Sequence, residues 1–120
     1  MVTHAGVTDH WVENTKRQLG TFEIIDTFLN SLIGKESFQV LAHCSMARGG
    51  QLPIGSSSPI WADWRKEEHY FTKVKQIVGH TKTGAGVKRV NENLIAVDCL
   101  DTSTQMLEVH PDREEIIARD

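Results

Sequence analysis

The sequence predicts an α/β fold, and three features of its pattern carry that prediction. A short apolar run at the N-terminus is followed by stretches with helical apolar spacing. A middle segment is dense in Gly, Ser and Pro. The second half breaks into apolar runs of strand length, separated by turn residues. With 120 residues there is room for one modest core and not for two.

Taken in order, residues 1–6 read as a short strand ending in a small-residue turn. The chain starts almost inside this strand, which suggests a truncation, an internal initiation site or a misplaced gene boundary. Thr8 or Asp9 can cap a helix bearing Trp11, Val12 and Leu19, with Gly20 as its stop. Thr21 can cap a second helix, where Phe22, Ile25, Phe28, Leu29 and Leu32 form one apolar face and Gly34 follows the last turn. Residues 38–44 (FQVLAHC) form a strand or a buried helix. Residues 47–59 (ARGGQLPIGSSSP) read as loop, and residues 61–71 as loop plus a short helix. Residues 74–78 (VKQIV) run as a strand into Gly79, His80 and Thr81, and residues 83–86 form a Gly-rich turn. Residues 87–90 and 94–99 read as two strands joined near residues 91–93, residues 106–109 as a third and 114–118 as one more. This order describes one α/β domain, or half of a larger one.

Bulk properties exclude several function classes. A net charge of -3 with interspersed signs gives no electrostatic pull toward nucleic acid or anionic lipid. No apolar run approaches the ~20 residues of a membrane span, and the N-terminus has no signal-peptide pattern. A cytoplasmic, reducing location is therefore the expectation. Cys44 and Cys99 lack the paired spacing of a zinc site, and both are expected as buried free thiols. The G-x-S-x-G elbow, the P-loop, G-x-G-x-x-G and H-E-x-x-H are all absent.

Two histidines stand out by context. His4 lies in Thr3-His4-Ala5-Gly6 and His80 in Gly79-His80-Thr81, each just past an apolar strand-like run. A strand end holds an imidazole rigidly, and small neighbours allow close approach of backbone to ligand. Between them lie Arg48-Gly49-Gly50, with Gly55-Ser56 beyond, and the segment Ser58-Pro59-Ile60-Trp61-Ala62-Asp63. After His80 comes residues 94–98 (LIAVD). Together, over residues 2–110, these motifs resemble the calcineurin-like metallophosphoesterases, in the bacterial and phage protein-phosphatase-like branch. Lys82 stands where the G-H-x-H form of that family has a further histidine, so the chain follows the G-H-T form.

The resemblance implies part of a four-layer αββα fold: a mixed second sheet with its covering helices. It implies His4 and His80 as ligands of a divalent metal pair (Mn, Fe, Zn or Ni). Arg48 would contact phosphate, and Asp98 would support a metal ligand by hydrogen bonding from behind. The reaction implied is in-line attack of metal-bound hydroxide on a phosphoester. The substrate would be a phosphoprotein, a dinucleoside polyphosphate or a small phosphoester. Trp61 and Trp64 read as core or rim packing, and His10, His43, His69 and His110 as structural.

The family's earlier motifs, D-x-H, G-D-x-x-D and G-N-H-[D/E], do not occur in this sequence. Two neutral imidazoles cannot bridge and neutralise a metal pair, which needs hard oxygen donors. The isolated chain is therefore expected to be inactive, and its partner to be the missing N-terminal half or a second copy of itself. Alternatively it is a degenerate remnant, or a non-enzymatic oligomerising or binding module that uses its sheet edges. Each of these readings expects an apolar sheet face left uncovered in the monomer.

Overall fold

A computed structural model describes residues 1–19, 27, 30, 41–110, 112 and 115–120. The protein is a small α/β protein with a mixed sheet and a second, antiparallel sheet. Strand β1 (Val2–Thr3) leads to helix α1 (Asp9–Leu19). A 3-10 turn (Met46–Arg48), a short helix α2 (Trp64–Glu67) and a second 3-10 turn (Glu68–Tyr70) follow. Then come β2 (Gln76–Val78), β3 (Lys88–Arg89), β4 (Leu94–Ala96), β5 (Met106–His110) and β6 (Glu115–Arg119).

The first sheet has the order β1-β2-β4-β3. β1, β2 and β4 run parallel, and β3 returns antiparallel on β4 through the turn at residues 91–93. In that turn Asn93 N–H donates to Asn91 Oδ1 at 2.8 Å, the local side-chain bond for which Asn suits turns. All three residues of β2 and of β4 are buried, as expected for parallel strands covered on both faces.

Strand alternation sorts these side chains. Val78, Leu94 and Ala96 join Ala5, Ala62, Trp64 and Phe71 in one core cluster. Val7, Trp11, Val12 and Leu41 form a second cluster under α1. Gln76 stitches that side together: its amide accepts from Val7 N–H at 2.8 Å and donates to Val7 O at 3.0 Å. Thr8 begins α1, with its side-chain oxygen accepting from Trp11 N–H at 3.4 Å.

Ile77 and Ile95 point the other way, and they are only 9% and 5% exposed. A cleft of about 240 Å³ is bordered by Ile77, Ile95 and Val109 of β5, and a second one by Ile95, Leu107 and Ala118. The expectation of an uncovered sheet face is thus corrected at Ile77 and Ile95, which are buried.

The remaining strands follow the sequence reading with altered limits: β2, β3 and β4 are shorter, β5 extends to His110, and β6 runs one residue later. Residues 41–44 are not a strand; Leu41 and Ala42 lie in a 3-10 turn. The helix expected from Thr21 lies outside the described residues except Thr27 and Asn30, both helical and exposed. Gly20, Gly34 and residues 38–40 also lie outside them. Both cysteines are free, but only Cys99 is buried; Cys44 is partly exposed. Among the described residues no helix is long and apolar enough to cross a membrane.

Gly6 has a packing role. Its φ is +109°, and an added Cβ would lie 2.6 Å from Phe71 Cε1 and 3.1 Å from Val78 Cγ1. Gly6→Ala is therefore expected to destabilise the fold by about 2 kcal/mol, combining left-handed strain with overpacking. Urea unfolding monitored by tryptophan fluorescence checks this; an unchanged midpoint would mean that Phe71 yields without cost.

Candidate functional site

The site is built by strand register. Thr3 pairs with Val78 where β1 and β2 end, and Gly79 N–H donates to His4 O at 2.9 Å. The next side chains, His4 and His80, therefore leave neighbouring parallel strands at their C-terminal ends. Open α/β sheets commonly hold their ligands at that end. His4 Nε2 and His80 Nδ1 are 2.9 Å apart, with ring centroids at 4.6 Å. One ring donates and the other accepts, depending on the tautomer.

His80 has φ +64°, unusual for a residue with a side chain. Thr81 N–H folds back to Gly79 O at 2.7 Å, closing a three-residue turn with His80 at its centre. Trp64 secures the turn from inside: its indole N–H donates to Thr81 O at 2.9 Å. Trp61 stands edge-on to His80, centroid to centroid 6.2 Å, and is 41% exposed. Trp64 is thus core and Trp61 rim, as the sequence suggested.

Arg48 arrives from the Gly-rich loop. Gly50 permits that loop to close, because a Cβ there would lie 1.9 Å from Cys44 O. The Arg48 guanidinium donates to Thr81 Oγ1, and its Nε lies 3.3 Å from Asp63 Oδ2. Asp63 also caps α2, accepting from Arg65 N–H at 3.1 Å. Asp98 carries the backbone carbonyl that accepts from Thr83 N–H at 2.9 Å, and its charge acts on His80.

Of the four site residues read from the sequence, the structure brings His4 and His80 into contact. It ties Arg48 to the residue after His80, and leaves Asp98 within electrostatic reach. His10 bonds Asn14, His110 pairs with Glu108, and His69 faces Glu68 at 3.6 Å, all away from this cluster. The sequence reading did not assign a partner to Arg48, nor any role to Glu67. The i, i+4 spacing of Asp63 and Glu67 was the available signal. It lets Glu67 reach back to the cap, and Asp63 N–H donates to Glu67 Oε2 at 2.8 Å.

Burial holds the His80 pKa below its ordinary value of 6.5; the charge of Arg48 and the nearby His4 push the same way. Asp63 and Asp98 oppose the shift and do not reverse it.

A metal ion is the group the motifs imply, and the ring nitrogens are the only test of fit the site offers. His80 Nε2, not the Nδ1 that meets His4, is the nitrogen buried without a partner among the described residues. Two Zn–N bonds of about 2.0–2.1 Å at a tetrahedral angle place their nitrogens about 3.3 Å apart. The facing ring nitrogens here lie at 2.9 Å, a few tenths less. Among the described residues no group of three or more His, Cys, Asp or Glu side chains could hold a metal ion. The pair therefore suits two positions of a nitrogen-containing site and does not complete one.

Fold and site define a small α/β protein with coupled imidazoles at the ends of adjacent parallel strands. No protein-family model, curated protein or solved structure matches this chain.

The lowered His80 pKa makes neutral His80 part of the folded state. Its contribution to stability is full above about 6.5, the unfolded value, and is lost as pH falls through the folded value. Ring-nitrogen NMR of metal-free protein should place the His80 midpoint below 6.5. Arg48→Ala should raise it, since a neighbouring positive charge is removed and Asp63 is left unpaired. A midpoint that stays or falls in Arg48→Ala would contradict this electrostatic account.

Proposed function

We propose that this chain is the C-terminal part of a calcineurin-like, metal-dependent phosphoesterase. In this reading it belongs to the four-layer αββα fold, with β1–β4 forming part of its second sheet. His4 and His80 supply two imidazole ligands to a divalent metal pair, Arg48 contacts the phosphoryl group, and Asp98 supports the His80 side. The observation that carries the reading is the β1–β2 register, which sets two motif histidines 2.9 Å apart.

The surroundings of Arg48 favour its role. A guanidinium has five N–H donors in a fixed plane. Asp63 and Thr81 engage two of them and orient the plane, so donors remain for a phosphoryl oxygen. The side chain keeps 28% of its surface exposed, enough for a ligand to reach it.

A bound divalent ion supplies charge that neutralises a phosphoryl group. The chain's own residues hold two nitrogen donors and one guanidinium against it, and carry no bridging carboxylate in the family's motif contexts. Hydrolysis accordingly requires carboxylates from another polypeptide segment. The substrate is a phosphoester, and the chain by itself is inactive.

A second reading, an oligomerising or binding module, is favoured by one edge of the first sheet. β3 presents Lys88 and Arg89, charges that discourage strand addition, whereas edge strand β1 leaves Val2 76% exposed.

Zinc titration followed by histidine ring-nitrogen NMR separates these readings. The phosphoesterase reading expects His4 and His80 to shift together, and His4→Ala or His80→Ala to weaken zinc binding by roughly tenfold or more. Unmoved His4 and His80 signals, with self-association lost in Val2→Lys, would favour the binding module. Manganese-dependent hydrolysis of a phosphomonoester is expected only in mixtures with a chain bearing the D-x-H, G-D-x-x-D and G-N-H-[D/E] motifs. Turnover by the chain alone, retained in His80→Ala, would contradict the proposal.

A further inference from the structure

Glu67 is fully buried on α2, and none of its bonds reaches the imidazole pair. Its carboxylate nevertheless gathers three separate segments. Oε1 accepts from Ser45 Oγ at 2.7 Å and from Gly55 N–H at 2.8 Å, and Oε2 accepts from Asp63 N–H at 2.8 Å. Burying a carboxylate is unfavourable unless its oxygens are satisfied, and three donors from three segments do so here.

Two of those segments lead to Arg48. Ser45 begins the 3-10 turn that carries Arg48, its oxygen accepting from Ala47 N–H at 3.2 Å. Asp63 holds Arg48 Nε with its own carboxylate. The guanidinium then reaches Thr81, beside His80. One side chain therefore fixes both the turn that delivers Arg48 and the anion that orients it. An apolar residue at 67 could fill the volume but would leave the Ser45, Gly55 and Asp63 donors without their acceptor.

We infer that Glu67 is the positioning residue of the Arg48 guanidinium, setting its direction through Ser45 and Asp63. The inference rests on the reading of Arg48 as the phosphate contact, but its geometric part can fail separately. Gln at 67 keeps the shape and one acceptor oxygen, so the Ser45 and Gly55 bonds can persist. Its amide nitrogen then opposes the Asp63 N–H, donor against donor.

The test uses the full chain. In Glu67→Gln, near-UV circular dichroism should stay native, while the Arg48 Nε–H NMR signal shifts toward that of a free guanidinium. Its solvent exchange should quicken about tenfold, the loss of one hydrogen bond's protection. Zinc affinity, set by the two imidazoles, should change less than about threefold. Orthophosphate affinity of the zinc-loaded protein should fall about tenfold in Glu67→Gln. In an Arg48→Ala background the same change should add nothing, because Glu67 acts through Arg48. If Glu67→Gln does not fold, Ser45→Ala removes one arm and should move the Arg48 signal the same way. An Arg48 signal unmoved in both variants overturns the inference, as does an undiminished further loss in the Arg48→Ala background. Wild-type protein that binds zinc but no orthophosphate refutes the functional reading instead, and the Arg48 signal still decides the positioning.

Discussion

The parallel pairing of β1 with β2 is the constraint on which the rest depends. These strands are far apart in sequence, and their register, Thr3 opposite Val78, decides what emerges beside what. A slip by one residue would turn Val78 out of the core and send His80 to the opposite face of the sheet. Burial of Val78 among Ala5, Phe71 and Leu94 resists that slip. The bond from Gly79 N–H to His4 O extends the pairing one step past both strands. The hydrophobic core and the imidazole contact are thus consequences of the same register.

Much of this was legible from the sequence because the signals are local. Residues 74–78 (VKQIV) end in two β-branched residues before a glycine, and residues 94–99 are almost wholly apolar; both mark buried strands. Thr8 and Asp9 precede a helical pattern and begin a helix. The two histidines sit in small-residue contexts just past β1 and β2, so their convergence required only that these two strands be neighbours and parallel. Apolar spacing alone did not supply that topology.

What stayed hidden is non-local. Ser45 and Glu67 drew no attention in the sequence, and only folding brings Ser45 and Gly55 to the carboxylate of Glu67. The partners of Arg48, Asp63 and Thr81, were not legible because they lie in other segments. The cover over Ile77 and Ile95 escaped for a related reason. Strands β5 (MLEVH) and β6 (EIIAR) pair with each other, and nothing in their sequences says which surface the ribbon faces. β2 and β4 are shorter than their apolar runs, because Val74 lies in a bend and residues 97–99 leave the ladder.

The claim at the centre is that His4 and His80 share a hydrogen bond because strand register puts them side by side. Scalar coupling across that bond, between His4 Nε2 and His80 Nδ1 in ¹⁵N-labelled protein, tests it without reference to any ligand or activity. The account predicts a resolved nitrogen–nitrogen coupling, lost when either ring is replaced. Absence of the coupling, with the two rings titrating independently and no proton contacts between them, would contradict it.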